Sequence, residues 1–111
     1  MKLDIKAAAV DLTPSFKTYI EEKLLSLAKF VKEFDETGSA DIRLEISRSA
    51  KHRTGDVFWA AADLRLPKQI LRAETEASDA RLAVDEIRKK LHLEIEKYRT
   101  RFVKPRREKK K

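Results

Sequence analysis

The sequence predicts an α+β domain of element order β-α-β-β-β-α, with two helices packed on one face of a four-stranded sheet and water on the other. Three observations lead there. Residues 16–34 and 80–102 carry apolar side chains at helical spacing, and the segments before and between them alternate apolar and polar residues with the period of a strand. The 111 residues contain no internal repeat or linker and suffice for one core.

The first strand is Leu3, Ile5 and Ala7 alternating with Lys2, Asp4 and Lys6. D-L-T-P-S-F then starts a helix. Thr13 suits the N-cap, Pro14 the first turn, where its missing N–H is no loss, and Leu12 can staple the approach. Phe16, Ile20, Leu24, Leu27, Val31 and Phe34 form one apolar stripe, so a single helix is expected up to D-E-T-G-S, where Gly38 can end it. Ala40, Ile42, Leu44 and Ile46 alternate with Asp41, Arg43, Glu45 and Ser47. Phe58, Ala60, Ala62, Leu64 and Leu66 alternate with Trp59, Ala61, Asp63 and Arg65, so the two strands read as a hairpin around Gly55. Pro67 ends the second strand, and L-P-K-Q-I turns into a fourth with Leu71 and Ala73 inward. Ser78 or Asp79 caps the second helix, whose stripe is Ala80, Val84, Ile87, Leu91, Ile95, Tyr98 and Phe102. The expected organisation is a domain over residues 1–102 and a basic tail over 103–111 that is disordered when free.

The net charge is +7, but K-P-R-R-E-K-K-K at the end carries +5 of it, leaving only +2 on the rest. A body so near neutral binds a polyanion only where its charges are segregated. The chain has no cysteine, which removes disulfides and thiolate metal sites and suits a reducing cytoplasm. Asp4, Lys6 and Asp11 interrupt the start, so no signal peptide is expected there, and no apolar run approaches membrane-spanning length. Catalysis finds little support: His52 and His92 lack metal-ligand spacing, and Gly38 and Gly55 are the only glycines, so no loop cradles a phosphate. Neither an enzyme nor a cofactor is expected.

Wound at about 100° per residue, the second helix places Lys90, Lys97 and Arg101 along one shoulder of its stripe, interrupted by Glu86, Leu93 and Glu94. Arg81, Arg88 and Arg99 follow the other shoulder with His92. On the first helix Lys23 and Lys29 flank the stripe on the same rotational side as the Lys90 group does on its own. Such residues read equally well as snorkelling cations at the edge of a buried face or as a polyanion site. The tip A-K-H-R-T-G-D, with Lys51, His52 and Arg53 side by side, tilts the balance toward polyanion binding. Strand parity puts Trp59 on the open sheet face. Base stacking is conceivable there, but a lone aromatic more plainly covers cross-strand neighbours such as Arg43 and Glu45.

D-L-T-P-S-F-K-T-Y-I-E-E-K-L, L-R-L-P-K-Q-I-L-R-A-E-T-E and S-D-A-R-L-A-V-D-E-I-R-K-K-L are collinear segments spread over the first hundred or so residues. Together they resemble the short form of the ribosome hibernation-promoting factor family, also called ribosome-associated inhibitors. The resemblance implies a domain similar in outline to double-stranded RNA-binding domains. It implies binding to the small ribosomal subunit and its 16S-type rRNA, in the channel where mRNA and the A- and P-site tRNAs would lie, so that ribosomes idle under stress. Family RNA-facing basic residues come from both helices and nearby loops, which carries over to Lys23 and Lys29 and to Lys90 and Lys97. Ser26 and Leu93 depart from the pattern by standing where basic residues are common, and Arg81 stands where an aromatic is frequent. Arg101 and the tail can supply replacement charge. The extra C-terminal domain by which long members pair ribosomes is expected to be missing, which leaves a separate ribosome-pairing factor as a further partner.

The expected rRNA-binding set is therefore Lys23, Lys29, Lys90, Lys97 and Arg101 with the tip Lys51, His52 and Arg53. The partners are the small subunit and the whole ribosome, with no small-molecule substrate and no membrane. Two alternatives remain: a general binder of structured or double-stranded RNA, and a protein–protein adaptor using the open sheet around Trp59. The family's older label, modulation of an alternative sigma factor, belongs to the adaptor class, and no residue argues for it.

Overall fold

The alternating segments pair into one mixed sheet of order β1-β2-β3-β4. Its strands are β1 (Lys2–Ala8), β2 (Asp41–His52), β3 (Gly55–Leu66) and β4 (Gln69–Ala77). β1 runs parallel to β2, and the other pairs are antiparallel. A parallel pair cannot be closed by a tight turn. The crossover is made by α1 (Pro14–Leu25), the short α2 (Ala28–Val31) and a 3-10 turn at Lys32–Phe34, while α3 (Ala80–Val103) follows β4. The structure, a computed structural model, describes residues 1–52 and 55–103, and for 50–52, 56, 102 and 103 the backbone path alone.

Period two puts Ile42, Leu44 and Ile46 of β2, Ala60, Ala62 and Leu64 of β3 and Leu71 and Ala73 of β4 on one buried face. Phe16, Ile20 and Leu24 of α1 and Val84, Ile87, Leu91 and Ile95 of α3 close over them. At the start of α3, Ala80 is only partly buried and Ala83 is fully so. Local caps follow the sequence: the Phe16 N–H donates to Thr13 Oγ1 at 3.1 Å, and the Leu82 N–H donates to Asp79 Oδ2 at 3.1 Å. Asp79, not Ser78, therefore caps α3. Asp35 accepts from the Ser39 and Ala40 N–H groups, and Gly38 takes a φ of 71° that lets the chain turn into β2.

Besides the exchange of Ala80 for Ala83 in the core, two larger features differ from expectation. The first helix is broken after Leu25, although the apolar stripe continues through the break. The Leu27 N–H donates to the Leu24 carbonyl, three residues back instead of four, and Ser26 Oγ donates to the Lys23 carbonyl at 2.6 Å. A serine hydroxyl that competes for a backbone acceptor loosens a helix at that turn. The second is register: Trp59 stands opposite Ser47 on one side and Glu76 on the other, and Arg43 lies four pairs away, opposite Asp63.

Candidate nucleic-acid interface

α1 and α2 lie beside α3 and run parallel to it, because their contacts climb together. Tyr19 meets Asp85, Ser26 meets Arg88, Phe30 meets His92, and Glu33 meets Arg99. The α3 residues on this seam recur at 81, 85, 88, 92, 96 and 99, a helical stripe of polar side chains beside the apolar one. The Arg81 guanidinium sits 4.8 Å from the Tyr19 ring centroid and 5.5 Å from that of Phe16. Arg88 Nε donates to Ser26 Oγ at 2.9 Å and to the Lys23 carbonyl at 3.2 Å. The His92 ring stacks on Phe30 with centroids 4.2 Å apart. Arg99 donates to Glu33 at 2.8 Å, to Glu96 at 3.3 Å and to the Phe30 carbonyl at 3.1 Å.

The break in the first helix thus has a partner. A helix end leaves carbonyls unsatisfied and carries partial negative charge, which cations relieve. Arg88 does this for α1 and Arg99 for α2. Tyr19 donates to Asp85 at 2.6 Å, and that bond, followed by burial, raises the tyrosine above its ordinary pKa.

The expected site residues fall on two flanks. Lys23 lies on the seam, 3.7 Å from Asp85 and 5.4 Å from the Tyr19 centroid, and Lys29 sits 5.2 Å from the Phe30 centroid. Lys90, Lys97 and Arg101 occupy the opposite shoulder of α3. There Lys90 Nζ donates to the Glu74 carbonyl of β4 at 2.8 Å, Lys97 pairs with Glu94 at 3.3 Å, and Arg101 is exposed. Leu93, on the outward ridge between the flanks, is 56% exposed. Lys23 and Lys29 are therefore not brought together with Lys90 and Lys97. Lys51 and His52 end β2, but their side chains and all of Arg53 lie outside the described residues; of the expected tail 103–111, Val103 instead ends α3 and 104–111 lie outside the described residues. Sequence reasoning left the seam out of the site: Arg81, His92 and Arg99 pack or cap there, Arg99 with every guanidinium nitrogen engaged, while Arg88 is engaged through Nε alone. Their four-and-three spacing was visible, but which helix shoulder would face α1 was not.

The open sheet face has a different charge pattern. Asp4, Arg43, Asp63 and Arg72 stand in one row across the four strands, alternating in sign. Arg72 pairs with Asp63 at 2.9 Å and Glu74 at 2.8 Å, the Glu74 bond first raising its pKa, and Arg65 pairs with Asp41 at 3.2 Å. Trp59 is half-buried, beside Glu76 and diagonal to Glu45 and Glu74. Carboxylates around the one aromatic oppose a phosphate backbone, so a base-stacking platform is disfavoured. Among the described residues no group of three or more His, Asp or Glu could hold a metal, and no helix is long and apolar enough to cross a membrane.

The family model described as Sigma 54 modulation protein / S30EA ribosomal protein matches residues 3–103. The chain belongs to this family. A curated relative, the ribosome hibernation promotion factor of Lactococcus lactis subsp. cremoris (strain MG1363), is 28% identical over 105 residues. That match covers 92% of this chain and 51% of the relative, so the chain spans about half the relative's length. Among solved structures, a ribosomal subunit interface protein from Coxiella burnetii superposes with a TM-score of 0.69 at 20% identity, over 90% of this chain and 99% of that one. The N-terminal domain of Protein Y from Thermus thermophilus gives 0.64 at 19% identity, over 89% and 100%. At these identities the structures speak for the fold, and they bear out the β-α-β-β-β-α order read from the sequence.

Proposed function

We propose that the chain is a hibernation factor that lays its helix layer against rRNA phosphates of the small ribosomal subunit. It fills the space needed by mRNA and by the A- and P-site tRNAs, and so inhibits translation under stress in the cytoplasm. The observation that carries this reading is the separation of charge in a member of this family. The helix layer holds a cationic seam and a second basic flank, while the sheet face alternates in sign and is acidic around its tryptophan. A protein that reads shape through phosphates needs no base contacts, and its affinity falls with salt. Inhibition is by occupation of space, with no chemical step. The Lactococcus and Coxiella names point to the ribosome as the partner, and Lys23, Lys29, Lys90 and Lys97 are the residues first expected to touch rRNA.

The test is co-sedimentation with small subunits and whole ribosomes across a salt series, with an RNA duplex as competitor. The wild type should pellet with small subunits, resist the duplex and lose affinity steeply with salt. Replacing Lys23, Lys29, Lys90 and Lys97 by Ala should lower the salt slope by roughly two to four. Ready displacement by the duplex would make the chain a general RNA binder instead.

A further inference from the structure

Two seam arginines cap helix ends, and they differ in what their guanidinium groups leave over. Arg99 engages all three nitrogens, Nε with Glu96, Nη1 with Glu33 and Nη2 with the Phe30 carbonyl. Arg88 engages Nε alone, shared between Ser26 Oγ and the Lys23 carbonyl. Among the described residues no hydrogen bond involves its Nη1 or Nη2, and no carboxylate forms an ion pair with it. The side chain is half-buried, so its charge is partly removed from water without a counter-ion.

The anchoring is specific. Ser26 Oγ donates its own hydrogen to the Lys23 carbonyl and accepts from Arg88, so one hydroxyl holds both the helix end and the guanidinium. With Nε fixed on α1, the planar group presents two remaining nitrogens in a set direction. A phosphate, with several oxygens at matching spacing, is the ligand that such a fork fits. Lys23 of α1 supplies the carbonyl acceptor, and His92 lies one helical turn further along α3.

We propose that Arg88 is a phosphate-contacting residue, gripping one rRNA phosphate through Nη1 and Nη2, and that Ser26 is its positioning residue. This rests on the reading of the chain as a small-subunit binder and adds to it a contact that sequence had not assigned. It also accounts for the serine at position 26: the cation at this point of the seam comes from α3, across from it.

The experiment measures small-subunit co-sedimentation over a salt series, with urea unfolding in parallel, for wild type, Arg88→Ala, Arg88→Lys, Ser26→Ala and Arg99→Ala. Arg88→Ala should weaken binding roughly tenfold and lower the salt slope by about one. Arg88→Lys should keep the slope yet lose part of the affinity, because an ammonium cannot both hold Ser26 and present a fork. Ser26→Ala should weaken binding several-fold with the slope unchanged. Arg99→Ala, whose nitrogens are all engaged, should lower stability and leave affinity and slope intact. Wild-type affinity and slope in Arg88→Ala would overturn the inference while leaving the small-subunit reading standing. Equal loss in Arg88→Ala and Arg99→Ala would also overturn it, since helix capping alone would then explain both. A wild type that does not pellet with small subunits would bring down both readings.

Discussion

Arg99 offers the cleanest test of how the broken helix is held. Its side chain is 31% exposed and that of its partner Glu33 is 47% exposed, so their ion pair is largely solvated. Pairs of that kind contribute about 0.2–1 kcal/mol. The bond from Nη2 to the Phe30 carbonyl differs, because a charged donor satisfies a part-buried backbone acceptor at the end of α2. Its loss leaves that carbonyl short of a partner, at a cost of about 1–2 kcal/mol. Arg99→Ala should therefore destabilise by about 2 kcal/mol, and Glu33→Ala by less than about 1 kcal/mol. Urea unfolding followed by far-UV circular dichroism measures both, with an unchanged m-value showing that only stability has moved. In thermal unfolding the arginine variant should melt roughly 8 °C lower. Equal costs for the two variants would refute the reasoning, since the ion pair alone would then explain the arginine. So would a cost below about 0.5 kcal/mol for Arg99→Ala, within the range of an ordinary surface substitution.

Further predictions follow from single features. Leu91 is fully buried between α3 and the sheet, so Leu91→Ala should cost about 2–5 kcal/mol by urea unfolding. Gly38 has a φ of 71° with open space around its Cα, so Gly38→Ala should lose about 1 kcal/mol through backbone strain alone, visible as a lower urea midpoint at constant m. Tyr19 holds its proton more tightly when folded, chiefly because its O–H donates a hydrogen bond to the Asp85 carboxylate. Its contribution is therefore complete below the unfolded value near pH 10 and is lost as pH rises through the higher folded value. Wild type should lose more stability between pH 8 and pH 11 than Tyr19→Phe does, and parallel losses would remove Tyr19 as the cause. Trp59→Ala should leave small-subunit binding and its salt slope unchanged in co-sedimentation, whereas a large loss would favour the adaptor reading.

The strands and most buried positions were legible because one buried face imposes period two, which Ile42, Leu44 and Ile46 obey, whereas Ala83 and Ala61, the latter buried on the open sheet face, were not. The break after Leu25 was not. Phe16, Ile20, Leu24, Leu27, Val31 and Phe34 keep helical spacing straight through it, since the chain resumes helical turns facing the same core. What stops the helix is one serine hydroxyl and an arginine 62 residues away, and neither leaves a mark on apolar periodicity. The site was half-legible for a related reason. Both shoulders of α3 carry cations, and rotation about the helix axis separates them but does not say which one meets α1. Only the packed arrangement puts Arg81, Arg88, His92 and Arg99 on the shared side and Lys90, Lys97 and Arg101 on the other.

Counting cations therefore misjudges where an anion would settle, because the donors differ in what already engages them. Lys90 covers a carbonyl on β4, an edge strand whose outward backbone groups would otherwise invite another chain, so an anion at Lys90 would have to compete with that contact. Lys97 has Glu94 beside it at 3.3 Å, and Lys23 has Asp85 at a looser 3.7 Å. Lys29 has only the Phe30 ring within reach among the described residues, and Arg88 retains two nitrogens with no acceptor. A phosphate arriving at the helix layer displaces least where the break in the first helix meets α3. The same break that periodicity could not reveal therefore concentrates available positive charge, which ties the local irregularity of α1 to the proposed binding surface.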